Sequence, residues 1–353
     1  MTARYSTPGR GYSHNVPGRF AATETVTEPG ADLETSAPTT HFHREQARSI
    51  VSGNRSPDVP FDWSINSYRG CEHGCVYCFA RPSHSYLDLS PGRDFETEIF
   101  YKPNGADLLL AHLAKPGYRC QGITLGANTD PYQPAEKRFG LTRALLDVFI
   151  DCRHPVSIVT KGTLIERDID RLTRLAERGL TQVSISLPTL DRGLKRTLEP
   201  RVASGERRLK TIRRLADAGI PVTVLVAPII PAVTCAELER ILEAAAAHGA
   251  SQARYTLLRL PHELEGLFRD WLDTHLTQRA DHVFSLLRSI GGGRTYDSRF
   301  GHRQRGHGAI ATLMGDRFET ACRRYGLNAA ATKLRTDQFR PPAALGAQRH
   351  LPF

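Results

Sequence analysis

Cys71, Cys75 and Cys78 follow a C-x3-C-x2-C pattern inside INSYRGCEHGCVYCFARPSH, residues 65–84. Thiolates set that close together select a soft metal, either zinc or the iron of an iron–sulfur cluster. A structural zinc takes four protein ligands, often as two separated pairs. There is no second pair here: Cys120, Cys152, Cys235 and Cys322 each stand alone. A Cys3His zinc site would have to recruit His73 or His84. The alternative is a [4Fe–4S] cluster held by three cysteines instead of the usual four. One iron then has no protein ligand and can bind a small molecule, as the open position of a catalytic metal site does. On this reading the fourth thiolate is missing because the fourth position belongs to a substrate or cofactor.

The loop must be carried by something rigid. Six short apolar runs recur along the chain: FDWSINSY, QGITLGAN (121–128), PVSIVT (155–160), TQVSISL (181–187), PVTVLVAPII (221–230) and SQARYTLLRL (251–260). Amphipathic stretches separate the later ones and close on Gly179, Gly219 and Gly249, as helices do. Apolar strands alternating with helices predict a parallel sheet covered by helices. Right-handed crossovers allow either a doubly wound sheet or a barrel, and six units fall two short of a closed eight-stranded barrel. The expected fold is α/β, a partial (β/α)6 barrel over residues 57–261. Residues 1–56 are rich in Gly, Pro, Ser and Thr without apolar periodicity, and predict a disordered arm or one that orders on a partner. Residues 262–340 predict a helical, basic extension covering the barrel's open edge or mouth, and 341–353 an extended tail.

The chain has 353 residues and a net charge of +10, from 47 Lys and Arg against 37 Asp and Glu. A surplus of that size favours polyanionic partners. It is concentrated at one end: residues 299–353 carry ten Lys and Arg against three Asp and Glu. Seven cysteines, an odd number, are not a disulfide framework and fit a reducing cytoplasm. No apolar run approaches the roughly 20 residues of a membrane span, and the first residues lack the hydrophobic stretch of a secretory signal.

The cysteine spacing, with Tyr77 before the last cysteine and the loop following the first strand, resembles the radical S-adenosylmethionine (SAM) superfamily. The finer resemblance is to an uncharacterised branch of spore-photoproduct-lyase-like, DNA-repair-photolyase-like proteins, through SINSYRGCEHGCVYCFARPSH, LGANTDPYQPAE, VSIVTKG and YDSRFGHRQRGHG. The resemblance implies Cys71, Cys75 and Cys78 on a [4Fe–4S] cluster and SAM on its open iron. It also implies one-electron cleavage to a 5′-deoxyadenosyl radical, fed by a donor such as flavodoxin or ferredoxin. Tyr77 is expected near the adenine, and Asn128, Thr129 and Asp130 near the SAM ammonium. Ser184 and Ser186 lie two apart on one strand face, with Ser186 expected at the ribose or carboxylate. Lys161, Glu199 and Arg201 are further candidates, an arginine being able to grip a carboxylate bidentately.

Cys235, after the fifth run, could donate a hydrogen atom to a product radical or simply be a small hydrophobe. Tyr255 could relay a radical or belong to the core. Arg299, Arg303 and Arg305, with His302 and His307, suit phosphate contact in a Gly-rich loop. The terminal QRHLPF fits a sliding-clamp peptide, with Leu351 and Phe353 filling an apolar pocket and Gln348 at its rim. DNA is the favoured substrate. RNA, a peptide or a small metabolite is the alternative, and a non-catalytic zinc or iron–sulfur protein that binds nucleic acid is a second.

Overall fold

The structure is a computed structural model that describes residues 9–21 and 39–342. The six expected strands are all present: β3 (Trp63–Ile65), β6 (Ile123–Leu125), β7 (Val156–Thr160), β8 (Thr181–Ser186), β9 (Val222–Ile229) and β10 (Gln252–Leu257). They pair in parallel in the order β3-β6-β7-β8-β9-β10. The order never reverses. Successive right-handed crossovers therefore put every helix on the same face, which is barrel winding and not the doubly wound alternative.

Alternation along the strands separates the two faces. Val183 and Ile185 of β8 point into the helix layer and share a core with Leu172, Ile212 and Ile241. Gln182 and Ser184 point the other way and are half-buried. Across that concave face Thr124 and Ser157 join their hydroxyls at 2.7 Å. The helices behind are locally well specified. Ser204 caps the helix Gly205–Asp217 by accepting from the Arg207 amide at 3.2 Å, and the chain leaves it through Gly219 at φ +76°.

A sheet that stops at six parallel strands exposes two edges, and both are covered. Beside β3 lies β2 (Val51–Gly53), antiparallel, contributed by the N-terminal segment. Beside β10 lies the C-terminal extension: the Leu257 amide donates to the Gln304 carbonyl at 2.8 Å. Asn328 closes the other end of β10. Its Oδ1 accepts from the Ala253 amide at 2.8 Å and its Nδ2 donates to the Ala253 carbonyl at 3.1 Å. The helix Ala309–Arg324 packs outside, with Arg317 on Glu239.

A second, three-stranded sheet, β1 (His41–Arg44), β5 (Glu98–Tyr101) and β4 (Tyr68–Arg69), has no counterpart in the expected elements. β4 and β5 are antiparallel, so the cysteine loop is the long excursion between them. The composition of residues 1–56 predicts a disordered arm; its described parts instead supply β1 and β2 and a packed segment around Tyr12, which is 4% exposed. Such short pieces carry too few apolar residues to announce themselves and are fixed by long-range partners. Gln348, Leu351 and Phe353 lie outside the described residues. Among the described residues no helix is long and apolar enough to cross a membrane.

Asn328→Ala leaves the Ala253 amide and carbonyl without their partner. The expected cost is about 1–3 kcal/mol of unfolding free energy, read from a denaturant titration. A midpoint unchanged from wild type would mean that the β10 edge is satisfied by other groups.

Candidate active site

The cysteine loop has almost no regular structure, so its backbone is satisfied by distant groups. The Cys71 amide donates to the Phe95 carbonyl at 2.9 Å and closes the neck of the excursion. The Val76 amide donates to the Leu198 carbonyl at 3.0 Å, and the Arg201 amide to the His73 carbonyl at 3.3 Å. Both tie the loop to the segment after β8. Arg81 and Glu96, both fully buried, pair at 2.5 Å beneath it. Arg81 also donates to the Cys75 carbonyl at 2.9 Å and the Gly92 carbonyl at 2.7 Å. The N-terminal segment completes this base: the Gly11 and Tyr12 amides donate to the Glu96 carboxylate, and Tyr12 Oη donates to the Val76 carbonyl at 2.8 Å. Gly11 approaches so closely that a Cβ there would meet the Gly74 carbonyl at 2.0 Å.

Cys71 and Cys75 are buried, and Cys78 is half-buried. Burial pushes the Cys71 thiol well up, and Asp130 and the other two cysteines push it further. Burial, then Glu199, likewise raises Cys75, with Lys161 acting the other way. Three thiolates so placed are stable together only on a strongly positive metal group. Each histidine that could complete a zinc site has one ring nitrogen close to another group, and His84 Nδ1 has no hydrogen-bond partner among the described residues. His73 Nδ1 lies 3.2 Å from Asp130 Oδ2, without the alignment of a hydrogen bond. His84 Nε2 lies 3.1 Å from the Glu98 carbonyl, inside a packed setting against Phe95. The donor set is three cysteines, which fits a cluster with one iron left open.

Around Cys75 the structure brings together Tyr77, Lys161, Ser186 and Glu199. Lys161 Nζ donates to Ser186 Oγ at 2.9 Å and stands 5.7 Å from the centroid of the Tyr77 ring. Ser186 Oγ donates to the Ala227 carbonyl at 3.1 Å. Tyr77 donates its hydroxyl to Glu199, and burial, then Glu199, push its phenol well up, so it stays a donor. Burial works against the Glu199 charge. Arg208 and Lys161, with hydrogen bonds from Arg208 and Tyr77, outweigh it and hold the carboxyl below the usual glutamate range. Arg208 is fully buried, 2.5 Å from Glu199 and 2.8 Å from the Ser186 carbonyl. Sequence reasoning missed it because an arginine inside RRLKTIRR reads as helix surface.

Asp130 is the junction between the loops. It accepts from Thr160 Oγ1 at 2.5 Å, from the Lys161 amide at 2.7 Å and from the Tyr132 amide at 2.9 Å, and it faces His73. Burial opposes its charge, but His73, Thr160 and the Lys161 amide prevail and bring its pKa down to about 2. Its oxygens are occupied by the chain itself, so it orders the loop ends. The Asn128 and Thr129 amides both donate to Asn66 Oδ1, at 2.8 and 3.1 Å, and Thr129 Oγ1 donates to the Tyr68 carbonyl at 2.9 Å. Asn128 itself is exposed. Gln133 bridges the Gly70 carbonyl and the Glu72 amide. Much of GANTDPYQP therefore buttresses the cysteine loop, a task that sequence spacing does not reveal.

The other expected residues lie further out. Ser184 is half-buried on the concave face, one pleat below Ser186. Arg201 is 3.2 Å from Glu72, at the flank of the loop. Cys235 packs against the sheet–helix core, and its carbonyl accepts from Arg317 at 3.0 Å; these surroundings fit a small hydrophobe. Tyr255 packs on Phe318 at 4.7 Å, in the core. Arg303 is tied to Asp58 and Ser56. Arg299 and Asp297 pair at 2.7 Å. Asp297, His302 and His307 each place a ligand atom within 4.8 Å of the others, though Arg299 already holds both oxygens of that carboxylate.

The fold and the three-cysteine loop define a cluster-bearing α/β enzyme. A profile of the radical SAM superfamily matches residues 65–245, and the chain belongs to that superfamily. An uncharacterized protein of Mycobacterium tuberculosis is 38% identical over 236 residues, 65% of this chain and 69% of its own. An uncharacterized protein of Methanocaldococcus jannaschii is 31% identical over 53% of this chain and 66% of its own. Among solved structures, spore photoproduct lyase complexed with dinucleoside spore photoproduct shares the fold. Its TM-score is 0.59 at 16% identity, over 81% of this chain and 80% of that one. The superfamily uses a [4Fe–4S] cluster and SAM, and another structure of spore photoproduct lyase carries bound AdoMet.

Two variants probe this arrangement. The pKa of Asp130 falls from 3.8 to about 2 on folding. Its stabilisation, on the order of 2 kcal/mol, is present in full above pH 3.8 and is lost as pH falls through about 2. Asp130→Asn should therefore be less stable than wild type at pH 6, with the gap closing over that acid window in denaturant titrations. Arg208→Met strands the buried Glu199 charge, at an expected cost of about 3–5 kcal/mol; Arg208→Met with Glu199→Leu should recover most of that loss.

Proposed function

We propose that this radical SAM enzyme acts on DNA, in the manner of a lesion-repair lyase. The observation that carries the reading is the extent of the likeness to spore photoproduct lyase. It covers 81% of this chain, well beyond the matched superfamily segment 65–245. The protein of that name is complexed with dinucleoside spore photoproduct. The net charge of +10 supports a polyanionic substrate.

When bound, the cluster and SAM would supply one-electron chemistry that yields a radical able to abstract hydrogen from the substrate. Cys71, Cys75 and Cys78 hold the cluster. Lys161 and Ser186, joined at 2.9 Å beside Cys75 and Tyr77, provide a cation and a hydroxyl for the carboxylate and ribose of SAM. Tyr77, oriented by its hydroxyl on Glu199, presents a ring to the adenine. Asp130 and Arg208 act through the residues they position. A base within a duplex would have to leave the stack to reach this buried loop. The reductant is a one-electron donor of the flavodoxin or ferredoxin kind.

Protein reconstituted anaerobically with iron and sulfide should release 5′-deoxyadenosine from SAM and dithionite, and Cys75→Ala should release none. Ultraviolet-irradiated DNA should raise the yield above that with undamaged DNA. Release that is indifferent to DNA, together with DNA binding absent or insensitive to salt, would remove DNA as the substrate while leaving the radical chemistry standing.

A further inference from the structure

Five large apolar side chains are exposed among the described residues, and four of them are aromatic: Phe20, Phe79, Tyr86 and Phe300. Each has an arginine guanidinium on its ring. Arg19 stands 4.7 Å from Phe20 and 5.0 Å from Tyr86, Arg303 stands 4.9 Å from Phe300, and Arg259 stands 4.3 Å from Phe79. Isolated exposed aromatics need no explanation. A ring that carries a cation is suited to a base's π-face and to negative charge.

The Phe79–Arg259 pair differs from the others in place and in charge balance. Phe79 directly follows Cys78, the least buried of the three cysteines, and is 42% exposed. Arg259 follows the carboxyl end of β10, the end at which parallel α/β folds place their sites. Arg19 is neutralised by Glu263 at 3.0 Å, and Arg303 by Asp58. Arg259 has neither an ion pair nor a hydrogen bond among the described residues, although it is only partly exposed. A guanidinium withdrawn from water is costly unless directly paired; the nearby Asp58 is held by Arg303, and an incoming anion would supply a direct partner.

We propose that Phe79 and Arg259 form the subsite that receives an unpaired nucleotide of the nucleic-acid substrate at the mouth of the cluster loop, a base stacking on Phe79 and a phosphate pairing with Arg259. This rests on the nucleic-acid reading above and adds to it the form of the substrate and the residues that grip it. Stacking on one exposed ring is indifferent to base identity, because every base has a π-face. Arg259 adds charge and no sequence information. The subsite therefore favours an unstacked strand over an intact duplex.

The test is fluorescence anisotropy of the reconstituted full-length protein with a labelled 12-nucleotide DNA strand and with the matching duplex, across a salt series. Wild type should bind the strand more tightly than the duplex. Phe79→Ala should weaken strand binding roughly 5- to 150-fold with an unchanged salt slope. Arg259→Gln should reduce the slope of log affinity against log salt by about 0.7, and Arg259→Lys should restore it. Iron content per chain checks each variant; if Phe79→Ala loses iron, Arg259→Gln decides alone, since it lies outside the cysteine loop. Strand binding by both variants at wild-type affinity and slope would overturn the subsite and leave the DNA reading intact. A wild type that binds neither strand nor duplex would overturn both.

Discussion

Three thiols on a buried loop impose a constraint that a strand or helix would not. The loop has no ladder to satisfy its amides and carbonyls, and any unpaired polar group there is costly in the dry interior. Glu96, Asp130 and Glu199 meet this need: Glu96 and Glu199 are buried and paired with Arg81 and Arg208, Asp130 is partly buried and faces His73, and all three hold loop atoms. Glu96 sits beneath the loop with Arg81 and collects the amides of Gly11 and Tyr12. Asp130 binds the ends of β6 and β7 to His73. Glu199 binds Tyr77 to Arg208 and, through it, to β8. The barrel contributes strand ends at fixed spacing, and the carboxylates convert that spacing into a loop geometry.

This division of labour explains why the edges of the sheet are finished as they are. An open six-stranded sheet would slip or pair with another chain unless its outer strands were occupied. The N-terminal segment serves twice, as β2 on one edge and as the support of Glu96 under the loop. The C-terminal extension occupies the other edge through Gln304 and Asn328, and the same extension brings Arg303 to Asp58, close to Arg259. Segments outside the barrel thus stabilise the sheet and shape the approach to the cluster loop.

The sequence was most legible where local pattern and function coincide. All six parallel strands announced themselves by apolar runs, and the cysteine spacing announced the loop between them. Tyr77, Lys161, Ser186 and Glu199 were legible as candidates and do meet around Cys75. Their partners were not. Arg208, Arg81 and Asn66 have ordinary local settings, and their roles depend on residues brought close only by the fold. The Gly11 amide reaches Glu96 across 85 positions. Compositional reading assigned residues 1–56 to an arm that is disordered or orders on a partner, because Gly, Pro and Ser lower apolar content, whereas close approach at Gly11 is a reason for glycine of another kind.

The uneven burial of the three cysteines also gives the site a direction. Cys71 and Cys75 are closed in by Glu96, Asp130 and Glu199 and by the packing around Val76, while Cys78 opens towards Phe79 and Arg259. On the closed side Glu96 and Glu199 are already matched to Arg81 and Arg208, which leaves Lys161, beside Cys75, as the cation proposed for the SAM carboxylate. The open side carries an arginine that has no direct ion pair among the described residues, next to an exposed ring. On the proposed reading, a polyanionic substrate would meet the cluster loop from the side of Cys78, Phe79 and Arg259.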